Sequence, residues 1–108
     1  SRGLGDVYKR QSVRFAPGGS ELPADARPVL DRLASRLDGG KSRVELLAYA
    51  SGSNQNSRAR RLSLDRAIAV RAYLAARGVS QARIIVRALG NGAAGDGGDR
   101  VDVVRLDP

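Results

Sequence analysis

LLAYASGSNQNSRARRLSLDRAIAVRAYLAARGV, residues 46–79, changes its periodicity in the middle. Together with Val44, the residues Leu46, Ala48 and Ala50 fall on one side of an extended segment, and Glu45, Leu47 and Tyr49 on the other. Both sides are fairly apolar, the pattern of a central strand covered by helices. The polar loop SGSNQN follows, with no carboxylate in it. From about Arg58 to Arg77 the spacing turns helical: Leu62, Ala67, Val70, Tyr73 and Leu74 form one stripe. Asn56 or Ser57 is placed to cap this helix, and Gly78 to end it. Arg58, Arg60 and Arg61 open it, at the end where the helix dipole least favours cations.

Working outward, SVRFAP alternates Val13 and Phe15 as a short strand closed by PGG. SELPADARPVLDRLASRLDGG reads as a helix whose stripe is Leu30, Leu33 and Leu37, widened by Val29 and Ala34. Pro23 suits its first turn, with Pro28 an alternative start, and Gly39 and Gly40 stop it. On the C-terminal side, Ile84 to Leu89 reads as a third strand, NGAAGDGG as a loop, and RVDVVRL as a last strand with Val101 and Val103 alternating against Asp102. The order β-α-β-α-β-β implies an α+β two-layer sandwich. Two strand–helix–strand crossovers and a closing strand pair give a mixed four-stranded sheet with both helices on one face.

Composition narrows the function. At 108 residues, 42% apolar and 28% charged, the chain makes one globular domain. The absence of Cys and His excludes thiol chemistry, histidine acid–base catalysis and the usual metal clusters, and no constellation suggests an enzyme or a cofactor. Net charge is +8 and only two of the 19 basic residues are lysine, which fits an anionic partner or an arginine-favouring genome equally. No aromatics interleave the basic residues for base stacking, so no nucleic-acid partner is expected. The most apolar window, AIAVRAYLAA, is short and broken by Arg71, so no membrane insertion by this segment is expected.

The first residues stand apart. GLGDVYKRQ does not continue the pattern and resembles translated adapter sequence found at the ends of metagenome-assembled reading frames. Residues 1–11 are therefore read as a non-native or disordered tail and 12–107 as the domain. Because the chain starts at Ser1 and has no Met, it is also read as a piece of a longer protein.

LSLDRAIAVRAYLAARGV (62–79) matches, almost position for position, the L-S-x-x-R-A-x-A-V-x-x-Y-L-x-x-x-G-V pattern of OmpA-like C-terminal domains. FAPGGSEL, RVELLAYA, ARIIVRALG and DRVDVV follow the family's other motifs in the right order and spacing. The chain thus resembles that family from about Val13 to Leu106. The resemblance implies a periplasmic, non-enzymatic domain, joined to the outer membrane or cell envelope through upstream segments. Its implied partners are peptidoglycan, held noncovalently through the diaminopimelate of the stem peptide, and cell-envelope proteins.

In the family an Asp after the second strand and an Arg in the long helix grip the zwitterionic end of diaminopimelate, an anion for its ammonium and a guanidinium fork for its carboxylate. Carried over, the Asp position is Ser51, the Arg is Arg66, fifteen residues later, and an Asn of the pattern falls on Ala59. The arginine pair of the last motif falls on Asp99 and Arg100. The implied ligand-binding residues are Arg66, Ser51 and Arg100. Losing the Asp charge at Ser51 costs about 1.5–3 kcal/mol of ligand contact if partly buried, or roughly ten- to a hundredfold in affinity. Binding is accordingly expected to be weakened or altered. The alternative is a degenerate structural or protein-interaction module that does not bind peptidoglycan. By residue type alone, Arg66 fits either a ligand contact or an arginine whose stem covers apolar surface.

Overall fold

The computed structural model describes residues 10–37, 41–51, 56–91 and 98–106. Among them, four strands and two α-helices follow in the order β1 (Arg10–Arg14), α1 (Ala26–Leu37), β2 (Arg43–Tyr49), α2 (Asn56–Ala76), β3 (Ile84–Gly90) and β4 (Arg100–Leu106), with one 3-10 turn at Gln81–Arg83 before β3. The sheet order is β1-β4-β2-β3. β2 and β3 are parallel, while β4 runs antiparallel to both β1 and β2. The α+β class and mixed sheet agree with the sequence reading. The closing pair does not form: β4 leaves β3 and inserts between β1 and β2, where both of its backbone edges find partners.

β1 begins at Arg10, two residues before the boundary drawn from the sequence, because Arg10 and Gln11 continue the register opposite Val104 and Val103. The rest of the expected tail, residues 1–9, lies outside the described residues, as do the Gly39–Gly40 stop, positions 52–55 and most of the NGAAGDGG loop. α2 starts at Asn56, so the two residues expected to cap it lie in its first turn. Its C-terminus is a Schellman motif. The amide of Val79 donates to the carbonyl of Leu74, that of Gly78 to Ala75, and Gly78 sits at φ +96°.

The core lies between the sheet and the helices. Leu30, Leu33 and Leu37 of α1 and Val70 and Leu74 of α2 pack with Val13, Val44, Leu46, Ala48, Val101 and Val103. Each fully buried Leu or Val contributes roughly 1.5–3 kcal/mol. α2 departs from the expected stripe: its buried face runs Ala59, Ser63, Arg66, Ala67, Val70, Leu74, with Leu62 only half-buried. Two polar side chains thus occupy core-facing positions of a helix, and both organise the same end of the sheet.

That end is where β1, β2 and β3 finish and β4 begins; Arg10 and Leu106 lie at the opposite end. At the close of β3 the register with β2 slips, so that Ala48 faces Ala88 but Tyr49 faces Gly90, and Leu89 is left over. Gly90 has φ +60°, and a Cβ there would lie 3.1 Å from the backbone N of Arg60. Only glycine allows this close approach of strand and helix. The fully buried Ser63 hydroxyl joins the two, donating to the carbonyl of Arg60 and accepting from the amide of Gly90 at 3.0 Å.

Candidate ligand-binding site

PGG builds the first wall of the site. With Pro17 in second position and Gly18 at φ +76° in third, residues 16–19 make a turn of the type-II kind, closed by the Gly19 amide donating to the Ala16 carbonyl at 3.0 Å. The turn leaves the carbonyls of Ala16 and Gly19 facing the same guanidinium. Arg66 Nη2 donates to Ala16 O at 3.0 Å and Nε to Gly19 O at 2.7 Å. Nη1 donates to the carbonyl of Tyr49 at 3.0 Å and to Asp99 Oδ1 at 2.9 Å. The Phe15 ring lies beside the guanidinium, 5.3 Å from its carbon, within cation–π range. Arg66 is wholly buried, its relative exposure 0%.

Asp99 is positioned by its own backbone, whose carbonyl accepts from the amide of Phe15 at 2.9 Å and so extends the β1–β4 ladder. Its carboxylate reaches across the end of the sheet to β2. Oδ1 accepts from the amide of Ser51 at 3.1 Å, and Oδ2 accepts from the Ser51 hydroxyl. Gly98 lets this segment come close, since a Cβ on it would stand 3.1 Å from that of Ser51. Burial pushes the Asp99 carboxyl up, but the Ser51 hydroxyl and amide and the Arg66 guanidinium outweigh it, so its pKa falls below the usual 3.8. Ionised at neutral pH, it balances the buried cation.

The structure thus brings Ser51 and Arg66 into one cluster and adds Asp99, which the sequence presented only as a missing arginine. Two of the departures from the family pattern, Ser51 and Asp99, meet through two hydrogen bonds. The two changes were visible in the sequence, and their contact was not. The carboxylate beside Ser51 and Arg66 is that of Asp99.

Arg100 is directed elsewhere. Its Nε donates to Asp102 Oδ1 at 2.9 Å, and its guanidinium stacks on the Tyr49 ring, 4.6 Å from the centroid. This is the sheet face away from the helices, where Asp102 is also held by Ser12 and Arg10. Arg58, Arg60 and Arg61 are exposed. Arg60 and Arg61 line, with Ser57, Leu64, Leu89, Gly90 and Asn91, an open cleft of about 510 Å³ beside the end of β3. Among the described residues no group of His, Cys, Asp and Glu could hold a metal ion, and no helix is long and apolar enough to cross a membrane.

The family model described as the OmpA family matches residues 14–100. The chain belongs to the OmpA family. Its fold is also that of solved members. The peptidoglycan-associated lipoprotein of Burkholderia pseudomallei is 22% identical, with a TM-score of 0.82 over 89% of this chain and 90% of its own. The OmpA-like domain of FopA1 from Francisella tularensis is 23% identical, with a TM-score of 0.75 over 91% and 72%. The periplasmic domain of Helicobacter pylori MotB is 13% identical, with a TM-score of 0.69 over 88% and 70%. A comparison with curated proteins returned no match. Against the OmpA-like pattern, this OmpA-family chain keeps the helix arginine and has Ser51 and Asp99 where the pattern has an Asp and an Arg.

Proposed function

We propose that this domain is a non-enzymatic, periplasmic binding module of the cell envelope that holds peptidoglycan noncovalently, with a cleft altered at its anionic side. One observation carries the proposal: a carboxylate, Asp99, is fixed between Ser51 and the buried Arg66, beside the position where the family's ligand-gripping Asp falls. In this reading Asp99 and Ser51 face the stem peptide. Arg66 is a positioning residue that holds the carboxylate and the PGG turn in place. Arg100 sits one residue beyond Asp99, and its contacts with Asp102 and Tyr49 brace the start of β4.

A second reading is supported by the burial of Arg66, four of whose donors are spent inside the domain. An arginine already paired with the domain's own Asp99 suits a structural or protein-interaction module that has given up the ligand. Sedimentation with purified sacculi separates the two. The binding module co-sediments, and Asp99→Asn, checked for folding by circular dichroism, co-sediments less. A folded wild-type domain that stays in the supernatant refutes the first reading and leaves the second.

A further inference from the structure

A guanidinium has five N–H donors, and a carboxylate has about four acceptor positions. Arg66 uses four donors, on Gly19, Ala16, Tyr49 and Asp99, and its side chain is 0% exposed. An incoming anion therefore meets no accessible guanidinium edge. Asp99 uses three acceptor positions, two on Oδ1 and one on Oδ2, and its side chain is 20% exposed. Among the described residues, one position on Oδ2 remains without a donor. Beside it, the Ser51 hydroxyl has spent its hydrogen on Asp99 but keeps acceptor capacity. The cluster turns acceptors outward and keeps its donors inside.

We infer that the exposed Ser51–Asp99 edge selects a primary ammonium with no carboxylate on the same carbon, such as the side chain of a lysine-type stem peptide or of amidated diaminopimelate, over free diaminopimelate. The inference rests on the peptidoglycan reading and specifies its ligand. An ammonium there donates to Asp99 Oδ2 and Ser51 Oγ, the carboxylate held by Arg66 through Oδ1 and the hydroxyl held by the carboxylate. A carboxylate on the same carbon is brought close to the Asp99 charge and has no free cation of the cluster to receive it. Amidation removes that charge and leaves the ammonium in place. The Asp99–Arg66 pair thus does internally what a ligand carboxylate would otherwise do for Arg66.

The test is calorimetric titration of the folded domain with three soluble tripeptides: L-Ala-D-Glu ending in free diaminopimelate, in its amidated form, or in lysine. The lysine and amidated probes are expected to bind at least about tenfold more tightly than the free acid, the effect of one charge-assisted contact. Ser51→Ala keeps Asp99 and is expected to weaken the two preferred probes without reversing the order. The double substitution Ser51→Asp with Asp99→Arg moves the carboxylate back to the end of β2 and is expected to turn the preference towards the free acid. Equal binding of the three, or tighter binding of free diaminopimelate by wild type, overturns the selectivity while leaving the peptidoglycan reading in place. No binding of any probe, with sacculi also unbound, overturns both.

Discussion

Replacing Arg66 with methionine takes away a guanidinium enclosed on every side and keeps most of its stem. Four hydrogen bonds disappear, three to carbonyls at the ends of β1 and β2 and one to Asp99. Removing one partner of a buried ion pair costs about 3–5 kcal/mol, because the other charge is left without compensation. Asp99 is partly exposed and recovers some solvation, whereas the carbonyls of the PGG turn do not. A domain of this size is held by about 5–15 kcal/mol in total. At about 4–8 °C of melting temperature per kcal/mol, the expected fall is about 12–40 °C. Thermal melts followed by far-UV circular dichroism measure that fall, and urea denaturation with the slope unchanged measures the free-energy loss. Arg66→Lys, which keeps the charge but not the fork, is expected to fall between wild type and methionine. A loss below about 1 kcal/mol for Arg66→Met would refute the reasoning, since it would mean that the guanidinium is held in reserve and not built into the fold.

Ser63→Ala strands the Gly90 amide beneath α2 and is expected to cost about 1–3 kcal/mol, with faster hydrogen exchange at Gly90 as the local sign. Gly90→Ala combines φ +60° with a contact of 3.1 Å to backbone and is expected to destabilise by more than about 1 kcal/mol, read from the shift in urea midpoint. Acid should unfold the domain through Asp99 and Asp102. Burial pushes the Asp102 carboxyl up, yet Ser12, Arg100 and Arg10 bring it below 3.8, as Ser51 and Arg66 do for Asp99. A depressed folded-state pKa gives stability that is full above the unfolded value and is lost as pH falls through the folded one. The urea midpoint is therefore expected to be level near neutrality and to drop below about pH 5, less steeply in Asp102→Asn; a flat profile down to pH 2.5 would contradict this.

The long helix and its LSLDRA motif made the fold legible, because periodicity and glycine punctuation are local properties. The site was legible only in part. Arg66 was recognisable by position, but its burial was not, since it lies among Ser63, Ala67 and Val70 on a face that a hydrophobic pattern undercounts. Asp99 was hidden because its partners are 33 and 48 residues away and meet it only through the β1–β4–β2 register. The fate of β4 was equally non-local. Nothing within RVDVVRL says that it will leave its sequence neighbour β3 and slot between β1 and β2.

That insertion has a mechanical consequence. Chain joined ahead of Arg10 leaves from one pole of the sheet, while Ser51, Arg66 and Asp99 lie at the other. A pull between Arg10 and that cluster runs along the strands. Inter-strand hydrogen bonds in the antiparallel pairs stand perpendicular to the strands, so the bonds joining β1, β4 and β2 are loaded together in shear instead of being unzipped one at a time. Under tension, the domain is a lengthwise splice with β4 as its middle lamina.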